Sequence, residues 1–291
     1  MILTPESRTE SLIEALPYIQ EFRGHTFVIK YGGAAMEDED IVEKFLRDVV
    51  FLEAVGINPV LVHGGGKAIT ARMRDAGLKA QFVNGLRVTD AAAIGIVEET
   101  LDQEINPGIV RTIREYGGRA EGLSGKSVFL AKRMGPQKLE DGRTMDIGFV
   151  GEAAGLNTKA IREIVGRETV PVISPIGAAG DGTVLNINAD VAAAALAAEL
   201  EATKLIFVSD VPGIMRNPEE KTSLIPSLTS EQTEALIKQK VIAGGMIPKV
   251  QSAAAALRKG VKKTHLIGGH IQHGLLLEIF TNSGIGSEIV P

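Results

Sequence analysis

The chain has 291 residues, 44% hydrophobic and 23% charged, with 33 glycines, no cysteine and a formal net charge of −5. Such a length buries a large core as one big domain or two lobes, and the missing cysteine excludes disulfides, thiolate zinc sites and cysteine nucleophiles, as fits a reducing compartment. No apolar run approaches the roughly 20 residues of a membrane span, and interspersed charges of both signs argue against a nucleic-acid footprint.

The first residues, MILTPESRTESL, lack a basic segment followed by an apolar one and are not a secretory signal. The protein therefore reads as cytoplasmic. Thr4-Pro5, then Ser7 with Glu10 three residues on, form a helix start of the capping-box kind. Leu12, Ala15, Leu16 and Ile19 share one helical face, and Pro17 is expected to kink or end that helix. Such a stripe either packs back on its own domain or makes a subunit contact.

From residue 26 the pattern alternates strand and helix. TFVIKYGG is a strand ending in glycines, Ile41 to Val55 has helical spacing, PVLVHGGG is a second strand, and Lys67 to Ala76 is its helix. Ala91 to Tyr116 is helical, with Asn106-Pro107-Gly108 predicted to interrupt it. SVFLAKRM and MDIGFVGEA read as a β-ribbon carried on the sheet, and PVISPIG as a buried strand. TVLNINAD leads into an alanine-rich helix, Val191 to Leu200, followed by the strand KLIFVSDV. After SLTSEQTEALIKQK come the helix Lys249 to Lys259, the strand KTHLIG and the helix LLLEIFT. The alanine runs let helices pack tightly on a sheet, and IGAAGDG near Gly177–Gly182 marks a boundary. This alternation specifies an α/β, three-layer αβα sandwich with an open, mainly parallel central sheet.

Ligands of such sheets bind beyond the carboxyl ends of the strands. Three strands end there in glycine-bearing turns, Gly32-Gly33, Gly64-Gly65-Gly66 and Asp210 to Gly213. Their N–H groups can converge on an anion. GLSGKS is not a phosphate loop, because Ala120 stands where the pattern requires glycine, and no G-x-G-x-x-G follows a strand. The His63-Gly-Gly-Gly turn lacks a G-x-S-x-G partner, so His63 reads as a structural histidine. His270 and His273 have no third ligand in view.

Lys30 interrupts an apolar strand, either snorkelling from its end or meeting an anion. Lys249 opens a helix, where its charge opposes the dipole unless an anion is near. Asp190 is either an N-cap or the group that orients two lysines. Arg87 is either a loop arginine or a carboxylate clamp.

FVIKYGG, VLVHGGG, NGLRVTD, LNINAD, SDVPGI and AGGMIPK occur in the order and spacing of the amino-acid kinase family, which the chain resembles from about Thr26 to its end. NGLRVTD and GGMIPK resemble the branch acting on N-acetyl-L-glutamate more than the carbamate, aspartate, glutamate or uridylate kinases. The resemblance implies transfer of a phosphoryl group from ATP to the γ-carboxylate of that acceptor, in arginine biosynthesis. Lys30 and Lys249 would contact the transferring group, Asp190 would hold both lysines, and Gly33 and Gly65 would donate N–H groups to it. Gly65, Gly66, Arg87 and Asn186 would bind the acceptor. Gly33, Asp210, Val211, Gly213, Ile214, Met215, Val241, Ile242 and Ala243 would surround the nucleotide, whose Mg2+ would be held by ATP oxygens and water. It further implies residues 1–23 as a helix joining homodimers into a homohexamer, 24–178 as an acceptor lobe and 179–291 as a nucleotide lobe. Tyr18, His265, Glu278 and Gly284 would form a site for arginine as inhibitor. One departure is Lys67, where many relatives carry proline. Another small-carboxylate kinase and a non-catalytic sensor are the rival readings.

Overall fold

The computed structural model describes residues 4–36, 38–139, 141–217, 219–281 and 284–291. Helix α1 (Pro5–Phe22) leads into β1 (Thr26–Tyr31), α2 (Glu39–Ala54), β2 (Asn58–His63) and α3 (Gly66–Asp75). A short hairpin, β3 (Phe82–Val83) and β4 (Leu86–Arg87), precedes α4 (Ala91–Glu99), one π-helical turn (Thr100–Ile105) and α5 (Asn106–Glu115). Then come β5 (Ala120–Leu123), β6 (Phe129–Arg133), the hairpin β7 (Gln137–Lys138) and β8 (Thr144–Met145), β9 (Val150–Leu156) and α6 (Lys159–Val165). The chain continues through β10 (Val170–Ile173), β11 (Ile176–Ala178), β12 (Val184–Ile187), α7 (Ala189–Glu199), β13 (Lys204–Ser209), β14 (Ser227–Thr229) and α8 (Ser230–Lys238). It closes with α9 (Met246–Arg258), β15 (Lys263–Gly268), α10 (Gly274–Ile279) and β16 (Ser287–Val290).

Eight strands form the main sheet in the order β14-β16-β15-β13-β1-β2-β10-β5. All central pairs are parallel, and β16 runs antiparallel to β15. Alternation along β1 separates the two faces. Val28 points into the core shared with the alanines of α7 and α9, whereas Phe27, Ile29 and Tyr31 face α2, α5 and α10. Alanine at Ala192, Ala193, Ala253 and Ala256, all essentially buried, brings α7 and α9 close to the sheet. The expected αβα sandwich is the observed one.

Several expectations need correction. Helix α1 does not end at Pro17 but continues to Phe22. Ile13, whose carbonyl loses a donor to Pro17, lies on the exposed side of the helix, open to solvent. Its start is Pro5, ahead of Ser7, whose side chain lies outside the described ones, as do Met1 to Leu3. Asn106-Pro107-Gly108 does not break the long helical rod. The preceding π turn, in which Asn106 N–H donates to Leu101 O five residues back, absorbs it, with Pro107 in the first turn of α5 where no donor is required.

The β6 and β9 ribbon is not carried on the main sheet either. It closes with β11 and β12 into a small four-stranded barrel. PVISPIG accordingly divides: Val170–Ile173 stays in the main sheet and Ile176–Ala178 joins the barrel. IGAAGDG is β11 itself followed by the turn that leads to β12. Strand β16, formed by the final residues, had no counterpart in the sequence reading.

Candidate active site

Strands β13, β1 and β2 are adjacent and parallel, so their three glycine-bearing turns emerge side by side at one edge. Gly32 and Gly64 nearly touch: a Cβ on Gly32 would lie 3.8 Å from the Gly64 Cα. Gly33 has φ +67°, and a Cβ there would meet Asp210 Oδ1 at 2.2 Å, so only glycine fits. These turns line a cleft of about 480 Å³ that also receives Lys30, Lys67, Arg87, Asn186, Asp190 and Asp210.

Lys30 follows the period of β1 onto the α7 and α9 face, one step beyond Val28. Asp190 meets it from the first turn of α7, and Lys249 from the first turn of α9, which begins at Met246 rather than at Lys249. Lys249 Nζ donates to Asp190 Oδ2 at 2.7 Å, and Lys30 Nζ lies 3.2 Å from Oδ1. Asn188 is the N-cap of α7, its side chain accepting from Asp190 N and Val191 N at 2.9 and 3.2 Å. Asp190 is thereby relieved of the capping role and faces the lysines instead. Burial opposes its charge, but the two lysines outweigh burial and hold the carboxyl below its usual range. Burial, aided by Lys249, lowers Lys30 despite Asp190. Two cations share one anion, leaving one positive charge in excess beside the cleft.

Arg87 is buried on β4. Its Nη2 donates to Gly66 O at 2.6 Å and Thr70 Oγ1 at 2.8 Å, and its guanidinium lies 4.7 Å from the Phe82 ring centroid across the hairpin. Among the described residues no carboxylate pairs with it. Burial lowers its pKa, and a desolvated cation of this kind calls for an anionic ligand. Asn186 enters from the barrel strand β12, with Nδ2 donating to Thr89 Oγ1 at 3.2 Å. Thr70, Phe82 and Asn188 escaped the sequence reading, and only Asn188 carried a signal: an Asn just before a helix.

Of the expected nucleotide residues, Gly33 and Asp210 line the cleft. Val211 and Ala243 are exposed, while Met215 and Val241 are half-buried. Gly213 packs against Ser287, and Ile214 and Ile242 belong to the core, so any contact from those two is through backbone. Lys67 is an exposed second residue of α3, not part of the turn.

The four residues expected to bind arginine lie on the other face of the same sheet, where His265 is level with Ile206 and Ile29, one residue short of Lys30 along the strands. His265 Nδ1 donates to Glu278 Oε1 at 2.7 Å, and Glu278 Oε2 accepts from Ile285 and Gly286 N–H at 2.7 and 3.0 Å. Gly284, at φ +61°, leaves room for that carboxylate. Tyr18 reaches the neighbourhood edge-on to Phe280, with centroids 6.2 Å apart. Lys204, which the sequence reading missed, donates to His265 Nε2 at 3.1 Å.

Among the described residues no three imidazoles or carboxylates converge as a metal site, and no helix is long and apolar enough to cross a membrane. His273 is instead hydrogen-bonded to Asp48 at 2.6 Å.

The amino acid kinase family profile matches residues 25–268. An acetylglutamate kinase of Akkermansia muciniphila is 51% identical over 96% of this chain and 94% of its own, and one of Aquifex aeolicus is 47% identical over 97% of each. Among solved structures, N-acetylglutamate synthase of Neisseria gonorrhoeae with coenzyme A and N-acetyl-glutamate superposes at TM-score 0.84 and 26% identity, covering 97% of this chain. The same synthase with coenzyme A and L-arginine gives 0.80 and 27%. The chain spans 63% of that synthase's length in the first complex and 65% in the second. By sequence and by fold, the chain belongs to the acetylglutamate kinases of the amino acid kinase family.

Proposed function

We propose that the protein transfers the γ-phosphoryl group of ATP to the γ-carboxylate of N-acetyl-L-glutamate, yielding N-acetyl-L-glutamyl 5-phosphate in arginine biosynthesis. A carboxylate oxygen attacks the γ-phosphorus and the bond to the β-phosphate oxygen breaks. The acceptor is already ionised at neutral pH, so no proton needs removal and no general base is required. What remains is positioning and neutralisation of charge, the usual means of catalysing phosphoryl transfer. Lys30 and Lys249, held apart and oriented by Asp190, face the transferring group. The N–H groups of Gly33 and Gly65 donate to its oxygens. Arg87 and Asn186 take the α-carboxylate of the acceptor.

The observation that carries this reading is the buried Asp190 bridging two lysines at 3.2 and 2.7 Å beside the glycine turns. Among the described residues no group of three imidazoles or carboxylates converges to ligate the Mg2+ of the nucleotide, which would be held by phosphate oxygens and water. Sheet order supports two lobes, 24–178 and 179–291, because β13 to β14 lie on one side of the β1 edge and β2, β10 and β5 on the other. Hydroxylamine trapping tests the reaction: acetylglutamate should give a hydroxamate in an ATP-dependent manner, whereas glutamate, aspartate and carbamate should not. No hydroxamate with acetylglutamate overturns the assignment.

Arginine is the proposed inhibitor, bound around Tyr18, His265, Glu278 and Gly284. The synthase solved with L-arginine supports this, as does the carboxylate of Glu278, already oriented by two N–H groups. Residues 1–23 are the proposed contact that assembles dimers into a hexamer in the cytoplasm. Leu12, Ile13 and Leu16 are 69%, 63% and 44% exposed, whereas Tyr18 and Phe22 anchor the helix to the body. Deleting residues 1–16 should leave an active dimer, and an unchanged mass after truncation would refute the contact.

A further inference from the structure

His63 ends β2 and is completely buried, and the reaction just described assigns it nothing. Its Nδ1 lies 2.9 Å from Gly64 O, and its Nε2 lies 3.3 Å from Asn106 Nδ2. Asn106 Nδ2 also donates to Val172 O at 2.9 Å, which fixes the orientation of that amide. A carbonyl oxygen only accepts, and an amide nitrogen only donates. The imidazole must therefore be neutral, with its proton on Nδ1 and its lone pair on Nε2. Burial holds its pKa down to about 4, so this form persists throughout the neutral range.

The partner of that proton belongs to a particular peptide. Gly64 C=O and Gly65 N–H are two ends of one planar trans amide and point in opposite directions. Drawing the oxygen toward His63 turns the N–H toward the cleft that Gly64, Gly65 and Gly66 line. A Gly-Gly amide has no side chain to restrain its rotation, so an external restraint is what makes that donor permanent. The π turn explains how the restraint arrives. Its extra residue rotates Asn106 inward to a buried position, and Gly122 on β5 leaves room, since a Cβ there would lie 2.2 Å from Asn106 Oδ1.

We propose that His63 and Asn106 are positioning residues for phosphoryl transfer, Asn106 setting the tautomer of His63 and His63 clamping the Gly64–Gly65 peptide with its N–H aimed at the transferring group. The inference rests on the reading of Gly65 as a donor to that group. Nitrogen-15 NMR of the wild-type imidazole at pH 7 tests the clamp without substrate: a neutral Nδ1–H signature is expected, and an Nε2–H or charged ring overturns it.

Kinetics by hydroxylamine trapping then test its role. His63→Leu should lower kcat about ten- to a hundred-fold, less than the roughly 10²–10³-fold of losing an oxyanion donor outright, with little change in the KM for acetylglutamate. His63→Asn, whose amide can donate from the Nδ1 position, should regain most of that loss. Asn106→Leu should give a mixture of tautomers and an intermediate kcat. A His63→Leu kcat within twofold of wild type, or a folded His63→Asn as slow as His63→Leu, overturns the proposal. Should His63→Leu fail to fold, Asn106→Leu and the NMR signature decide it. Wild-type protein that makes no hydroxamate would instead refute the function, leaving the clamp to stand or fall on its tautomer.

Discussion

The two faces of the main sheet each hold a buried cluster of acid and base, and they are built to opposite ends. On the α7 and α9 face, at the carboxyl ends of the strands, the Asp190 carboxylate is paired among the described residues with Lys30 and Lys249, and excess positive charge faces a cleft. On the other face, beside α10, Glu278 is satisfied by His265 and two backbone N–H groups, with Lys204 behind the imidazole. One cluster is left charged for an anion whose own charge changes during reaction. The other presents an oriented carboxylate, suited to recognising a cation without chemistry. Buried ionic groups do not by themselves mark catalysis, and what separates these two is how fully the protein neutralises them.

The largest effect expected from breaking the contrast is on the α7 and α9 face. Lys249→Ala should lower kcat by about 10²–10³-fold with a smaller change in acetylglutamate KM, and a near-normal kcat would remove the lysine from the mechanism. On the α10 face, Glu278→Gln should raise the arginine concentration for half-inhibition by about tenfold or more, the value of one hydrogen bond to a charged group. Unaltered arginine titration would detach Glu278 from regulation.

A third test uses pH. The folded pKa of His63, about 4, lies below its ordinary 6.5, so the unfolded chain binds more protons between those values and stability is lost as pH falls from 6.5 toward 4. Asp48 is the reverse. Burial raises it to about 6 from 3.8, against its hydrogen bond to His273, so the folded chain binds more protons and stability is lost as pH rises through that interval. Each proton is worth up to about 1.4 kcal/mol per pH unit. Asp48→Asn should therefore make the Tm fall more steeply than wild type on acidification from 6.5 to 4, and parallel curves would contradict the assignment. The smallest expected effect is Asn188→Ala. Losing that cap of α7 should cost about 1 kcal/mol, read as a Tm lower by a few degrees, and no change would return the capping role to Asp190.

Most of the fold was legible because its signals are local. Apolar runs ending in glycine mark β1 and β2, and alternation with helical spacing requires a parallel sheet with two covered faces. The misreadings came where nonlocal packing overrides a local rule. Proline breaks helices in general, but Pro17 falls where the carbonyl it leaves without a donor belongs to the exposed Ile13. Asn106-Pro107-Gly108 resembles a break, yet a π turn accommodates it because Asn106 has buried partners to reach.

By itself the sequence determined the α/β class, the glycine turns and the identities of Lys30, Lys249, Asp190 and Arg87, since residue type and spacing fix local conformation and available charge. It left each of those four with two explanations. Only the tertiary structure decided among them, through contacts between residues far apart in the chain. Asn188 takes the cap and releases Asp190 to two lysines 160 and 59 positions away. The barrel was likewise decided by strand pairing that no single segment encodes, and the tautomer of His63 by an asparagine 43 residues on. Hydrogen bonds and ion pairs depend on distance in space, to which sequence separation is no guide.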